Sequence, residues 1–163
     1  AQVEVLIPDL RGNKQAIKAI VDAGPDVLNH NLETVPRLYR KVRPGASFAG
    51  SLELLRYAKN LRPTMFTKTG LMLGLGEEFE EVCEVFDAAK QHDVDIFTGG
   101  QYMQPSREHL PVHAYITPRE FELYRVAAEQ RSFRHVFIAP LVRSSYHAGE
   151  QTAISNQINS QSV

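Results

Sequence analysis

The chain has 163 residues, 43% of them hydrophobic, enough for one domain with its own core and unlike a disordered chain. Its 18 lysines and arginines stand against 19 acids, for a formal net charge of −1, so no bulk basic field draws nucleic acid or an anionic membrane. The single cysteine excludes an internal disulfide and cannot alone build a zinc or iron–sulfur site. No apolar run reaches the roughly 18 residues of a membrane span, and "AQVEVLIPDL" lacks the order of a secretory signal, so a soluble intracellular protein is expected.

The chain opens directly into the strand-like "VEVLIP", the pattern expected of a segment cut from a longer protein. Asn13 caps an expected helix through Ala23, with Ile17, Ile20 and Val21 at helical spacing and Gly24-Pro25 as the stop. "DVLNHN" reads as a second strand ending in polar residues. Helical pieces follow around Val35–Val42 and over Ser51–Leu61, separated by Arg43-Pro44-Gly45. "MFTKTGLMLGLG" is a third strand region, and "EEFEEVCEVFDAAKQ" an amphipathic helix expected to bury Phe79, Val82, Cys83 and Phe86. A fourth strand, "VDIFTGGQY", runs into a long loop. The next helix is well signalled, with Thr117 as cap, Pro118 first and Glu120 closing a capping box. "HVFIAP" is the last strand, and the polar tail, residues 152–163, is expected to be poorly ordered.

Five strands alternating with helices suit either an open doubly wound sheet or part of a βα-barrel. Either fold gathers ligand chemistry at the C-terminal strand ends. Those ends hold Asp9, then Asn29, His30, Asn31 and Glu33, then Thr67, Lys68 and Thr69, then Gln101 and Tyr102, then Arg143, Ser144, Ser145 and Tyr146.

Each cluster has a bland counterpart. "GLMLGLGEE" lacks the third glycine of a dinucleotide fingerprint and the Gly-Lys-Ser/Thr of a phosphate loop. It leaves a tight turn at Gly74 and Gly76, with Glu77 placed to accept from hydroxyls or an amine, or a turn that is only structural. Lys68 points either into a barrel mouth or along an edge strand as protection against aggregation. In "NHNLET", two amides, an imidazole and a carboxylate together suit ribose hydroxyls or an amino-acid head group, while Asn31 or Thr34 alone would serve as a helix cap. Pro111 between His109 and His113 argues against a helical metal pair. Cys83 falls on the apolar helix face and behaves as a small hydrophobe. No Gly-x-Ser-x-Gly elbow surrounds Ser144 and Ser145, so a serine hydrolase with His147 as base is the weak alternative.

Taken in order, "IPDLRG", "AGPDVLNHNLETVPRLYRKVRPGASF", "TKTGLMLGLGE", "GQYMQPSREHLPV" and "PLVRSSYHAGEQ" resemble the lipoyl synthases, a family of radical S-adenosylmethionine enzymes. The similarity runs over residues 3–151. It implies an α/β fold, a partial (β/α) barrel of which residues 1–151 form the C-terminal part, with the family's cysteine triplets and first strands lying before Ala1.

The resemblance implies two 4Fe-4S clusters. One binds S-adenosylmethionine and cleaves it to a 5′-deoxyadenosyl radical, which takes hydrogens from an octanoyl chain on a carrier protein. The other is consumed as sulfur donor, held by three cysteines and one serine. That serine corresponds to Ser145, with Arg143 and Ser144 in support; an alkoxide is a harder, weaker partner for iron than a thiolate, which suits a cluster that must come apart. By the same resemblance Asn31, Glu33, Lys68, Thr69, Gly74, Gly76 and Glu77 face S-adenosylmethionine. Arg40 and Arg43 would meet its carboxylate or an acidic carrier protein, or stay solvated. An electron donor such as flavodoxin or ferredoxin is implied as partner. The implied compartment is the cytoplasm in a bacterium, the mitochondrion or plastid in a eukaryote.

Three positions depart from the family pattern. Thr69 stands for serine, Gly99 for a larger apolar residue, and Ala139 for a glycine, which tests whether the last strand keeps a positive-φ turn. Lacking the cluster cysteines, the chain alone is expected to be inactive. The alternative reading is a non-catalytic module that binds S-adenosylmethionine or the carrier protein.

Overall fold

The computed structural model describes residues 2–143. Five strands form one parallel sheet in sequential order: β1 (Glu4–Leu6), β2 (Val27–Asn29), β3 (Phe66–Leu73), β4 (Ile96–Gln101) and β5 (His135–Ile138). Each strand pairs in parallel with the next, with Asn29 opposite Lys68 and Gly70 opposite Thr98. A doubly wound sheet reverses its strand order at a switch point. This order never reverses, so the sheet is an arc of barrel wall, open between β1 and β5 among the described residues.

The strand period of two divides the sheet cleanly. Leu28, Leu71, Leu73, Phe97 and Ile138 face the helices and join their core, while Asn29, Lys68, Gly70, Met72, Thr98 and Gly100 alternate onto the other face. The helices are α1 (Lys14–Asp22), α2 (Tyr39–Val42), α3 (Phe48–Leu61), α4 (Phe79–Gln91) and α5 (Pro118–Glu129). They supply Ile17, Val21, Leu55, Val82, Phe86 and Phe121 to that core. Phe97 sits at its centre, with ring centroids 4.8 Å from Phe86 and 5.4 Å from Phe133.

Local chemistry fixes several boundaries where expected. Asn13 Oδ1 accepts from the Gln15 and Ala16 amides to start α1, and Thr117 and Glu120 close both halves of the α5 capping box. Three expectations change. The helical piece around Val35–Val42 is a 3₁₀ turn at Pro36–Leu38 followed by the single turn of α2. The α3 helix begins at Phe48, because Ser47 Oγ accepts from the Gly50 amide; Ser51 is buried within the helix. On α4 the buried stripe is Val82, Val85, Phe86 and Ala89, while Phe79 is 39% exposed against the Tyr124 ring and Cys83 is half-buried.

Candidate functional site

Where β3 and β4 lie side by side, two glycines take the place of side chains on the face away from the helices. A Cβ at Gly70 would run into the Thr98 hydroxyl and approach Asn31 Oδ1 to 3.3 Å. One at Gly100 would run into the Val142 carbonyl and come within 3.0 Å of Arg143 Nη1. The room left free is a cavity of about 340 Å³ whose lining includes Gly70, Gly100, Thr98, Asn31, Glu33 and Arg143. Glycines inside otherwise apolar strands were its signal in the sequence, single in "TKTGL" and paired in "FTGGQ". The expected site residues omitted both.

The polar edge of this cavity is the segment after β2. Its backbone is tied down at almost every group. The His30 amide donates to Lys68 O at 3.0 Å, the Glu33 amide donates to Gly70 O at 2.9 Å, and the Glu33 carbonyl accepts from the Met72 amide at 2.8 Å. Thr69 Oγ1 donates to His30 O at 2.8 Å and accepts from the Leu32 amide at 3.2 Å. So held, Glu33 keeps a left-handed backbone, φ 69°, which a non-glycine residue adopts at a cost and which clusters at functional sites. Burial raises the Glu33 carboxyl above its ordinary value, opposed by a hydrogen bond from Asn31 and by the Arg43 cation.

Among the described residues, four buried side-chain atoms have no hydrogen-bond partner, and three fall in this stretch: Asn29 Oδ1, Asn31 Oδ1 and Thr34 Oγ1. Neither Asn31 nor Thr34 serves as a helix cap, since the following turn starts at Val35 with no side-chain cap. A buried acceptor without a donor is costly, and of the three residues Asn31 lines the cavity.

The other expected contacts are spread around the cavity rather than gathered in it. Lys68 lies on the central strand, not at an edge, and is fully buried, its Nζ 2.9 and 3.1 Å from the two Glu4 carboxylate oxygens. Thr69 faces the Asn31–Glu33 backbone, as described. Gly74 and Gly76 both take positive φ, 102° and 104°, and Glu77 caps their turn by accepting from the Gly74 and Leu75 amides at 2.5 and 2.9 Å. A Cβ at Gly74 would run into Ala114 O and Gln101 Nε2, and one at Gly76 would approach the His113 ring to 3.3 Å. Arg143 lines the cavity, and its Nη1 donates to Val142 O at 2.8 Å. Ser144 and Ser145 lie outside the described residues.

Two departures noted in the sequence resolve locally. Ala139 does not take positive φ, and its amide donates to Gly99 O at 3.1 Å. A Cβ at Gly99 would sit 3.2 Å from Ile138 Cγ1, so a larger residue there needs a small shift of that side chain. His109 and His113 lie in the irregular segment after β4, and His109 Nδ1 is engaged with Ser106 Oγ at 2.9 Å.

The family model for the Radical SAM superfamily matches residues 1–89, more than half of the chain. The chain belongs to the radical SAM superfamily. Within it, the resemblance to lipoyl synthases is borne out. The chain is 56% identical over 153 residues to the lipoyl synthase of Idiomarina loihiensis, covering 93% of this chain and 48% of that protein. It is 54% identical over 150 residues to the lipoyl synthase of Rubrobacter xylanophilus, covering 92% and 47%. With the Koribacter versatilis lipoyl synthase it shares 51% identity over 156 residues, covering 96% and 51%. The chain therefore spans about half the length of these curated relatives. Among solved structures, methylornithine synthase superimposes with a TM-score of 0.62 over 98% of this chain and 58% of its own, at 15% identity, which shows a shared fold alone. This radical SAM arc, with helices on its outer side, is the partial α/β barrel that the motifs implied.

Proposed function

We propose that the cavity between Asn31–Glu33 and the Gly70–Gly100 floor binds S-adenosylmethionine, and that the protein acts in lipoyl synthesis, inserting two sulfur atoms into an octanoyl chain carried on a protein. The observation that carries this reading is the buried, unpartnered Asn31 Oδ1 beside a carboxylate held on left-handed backbone, both lining a cavity floored by glycine. Ribose hydroxyls and an ammonium are donors, and they supply what these acceptors lack. Family membership points the same way.

In this reading Asn31 and Glu33 accept from the ligand and fix its orientation, and Gly70 and Gly100 let it approach the sheet backbone. Met72 and Leu6 line the cavity beside them. Lys68, Thr69 and the Gly74–Glu77 turn act behind these contacts, by holding the strand ends that carry them. Bound S-adenosylmethionine supplies the hydrogen-abstracting chemistry of the family.

The residues present do not fit the two 4Fe-4S clusters. Cys83 is the single cysteine, half-buried on α4, and burial pushes its thiol up, away from the thiolate that binds metal. Among the described residues no group of three His, Cys, Asp or Glu side chains is placed to hold a metal ion. The reading therefore puts the thiolate ligands outside these 163 residues and keeps Ser145, supported by Arg143 and Ser144, as an oxygen ligand on the strength of the Arg-Ser-Ser-Tyr motif. The octanoylated carrier protein and a flavodoxin or ferredoxin electron donor come with the same reading.

Calorimetric titration of S-adenosylmethionine into the chain tests the site. Binding to the wild type, weakened about tenfold or more in Asn31→Ala through loss of a buried hydrogen bond, is the expected result. Equal binding by both proteins removes Asn31 from the site.

A further inference from the structure

Arg43 was expected to reach a ligand, meet a carrier protein or stay in solvent. The structure turns it inward instead. Its Nη1 lies 3.0 Å from Asn31 O, 3.2 Å from the Tyr39 hydroxyl and 3.4 Å from Ser51 Oγ, with the guanidinium 5.6 Å from the centroid of the Tyr39 ring. Ser51 in turn meets His30, 1% exposed, whose Nε2 is 2.9 Å from Ser51 Oγ and whose Nδ1 is 2.9 Å from Ile7 O.

The donor pattern follows from the carbonyl. Ile7 O can only accept, so His30 Nδ1 carries the hydrogen. Burial holds the imidazole neutral, so Nε2 accepts and the Ser51 hydroxyl donates to it. The Ser51 lone pairs then face Arg43. Through this chain the segment after β1, the segment after β2 and helix α3 converge on one guanidinium, and that guanidinium donates to the carbonyl of Asn31.

Asn31 is the residue whose side chain lines the cavity, and it lies two positions before Glu33. Thr69 already holds the carbonyl of His30 and the amide of Leu32, and Gly70 and Met72 hold Glu33. The Asn31 carbonyl is held not by a strand but by Arg43.

We propose that Arg43, seated by Tyr39, Ser51 and His30, is a positioning residue: it fixes the Asn31 carbonyl so that Asn31 Oδ1 and the Glu33 carboxylate present a paired acceptor edge to the cavity. It need not touch the ligand. The role rests on the reading of the cavity as the S-adenosylmethionine site, but the clamp itself can be measured without any ligand.

Two variants separate charge, geometry and folding. Arg43→Lys keeps the cation and moves the donor nitrogen; Arg43→Gln loses the cation and the donor position. Carbon-detected titration of the Glu33 side chain is read first, in the unliganded full chain. Because the Arg43 cation opposes the rise that burial imposes on Glu33, the Glu33 titration moves up in Arg43→Gln and stays near the wild type in Arg43→Lys. Urea unfolding reports whether each variant is folded.

The second readout is S-adenosylmethionine affinity. A lost hydrogen bond from a charged donor predicts a weakening of about ten- to a hundredfold in Arg43→Gln, with partial recovery in Arg43→Lys. If both variants are folded and bind like the wild type, Arg43 positions nothing and the proposal is wrong. If the wild type binds no S-adenosylmethionine, the ligand reading fails, and the clamp is decided by the Asn31 carbonyl carbon shift in the unliganded chain, which moves in Arg43→Gln if Arg43 holds that carbonyl. An Asn31 carbonyl shift unmoved in a folded Arg43→Gln overturns the clamp there, while the Glu33 titration reports only whether the Arg43 charge reaches that carboxyl.

Discussion

Asp95 and the Asn29–Thr34 segment bury polar atoms at opposite ends of the same sheet, and they finish the job differently. Just before β4, Asp95 is 7% exposed; Lys59 Nζ, the Thr67 amide and the Thr67 hydroxyl donate to its Oδ2 at 2.7, 2.9 and 3.2 Å, and Arg134 Nε stands 3.3 Å from Oδ1. At the end of β2 and just after it, three buried acceptor or hydroxyl atoms are left without partners. A saturated buried carboxylate ties strands and helices together. An unsaturated acceptor costs stability until a ligand arrives. The N-terminal end of the sheet is built to hold the fold, and the C-terminal end, on the proposed reading, to bind.

The most severe way to break this contrast is Asp95→Ala. It leaves Lys59, a cation at 16% exposure, without its carboxylate and strips the Thr67 amide and hydroxyl of an acceptor. Removing one partner of such a buried network costs about 3–5 kcal/mol, read as a lower urea midpoint at unchanged slope. A loss within the ordinary surface range of about 0.5 kcal/mol would erase the distinction between the two ends.

The binding end should respond to filling rather than to removal. Gly100→Val places branched carbons where the Val142 carbonyl and the Arg143 guanidinium already sit. Overpacking of this kind costs about 1–3 kcal/mol. It also occupies the cavity floor, so the variant should lose S-adenosylmethionine binding out of proportion to its loss of stability. Retained affinity in a folded Gly100→Val chain would move the ligand away from that floor.

How far these two ends were legible in the sequence depends on how local their physics is. Caps were readable, since Asn13 and Thr117 bond within their own first turns. The true start of α3 was not, because Ser47 and Ser51 both look like caps, and only His30, 21 residues from Ser51, shows that Ser51 is spent on the interior. Polar residues at Lys68 and Thr69 inside an apolar strand were visible. Which face each takes was not, because that depends on Glu4, 64 residues away from Lys68, and on the segment after β2. The acceptors Asn31 and Glu33 were read directly, while the floor beneath them is made of missing side chains at Gly70 and Gly100. An absent side chain gives a sequence reader only a glycine, and the strand register turns it into a cavity.

The smallest effect is the most discriminating, because its sign runs against the usual cost of mutation. Burial raises the folded-state titration of Glu33 above its unfolded value. A carboxyl raised in this way contributes its full stability below the unfolded value and loses it as pH rises through the folded one. At pH 7, above the unfolded value, Glu33 therefore contributes less to the fold than it does in acid. Glu33→Gln is nearly isosteric and does not titrate. It should raise the urea midpoint slightly at pH 7, and that gain should shrink as pH falls through the folded-state titration of Glu33. S-adenosylmethionine binding should weaken in the same variant. A gain in stability coupled to a loss of binding marks a residue kept for its ligand, since function at a strained site is commonly held at the expense of stability. Destabilisation by Glu33→Gln at pH 7 would instead make Glu33 a structural carboxylate like Asp95, and the two ends of the sheet would no longer differ in kind.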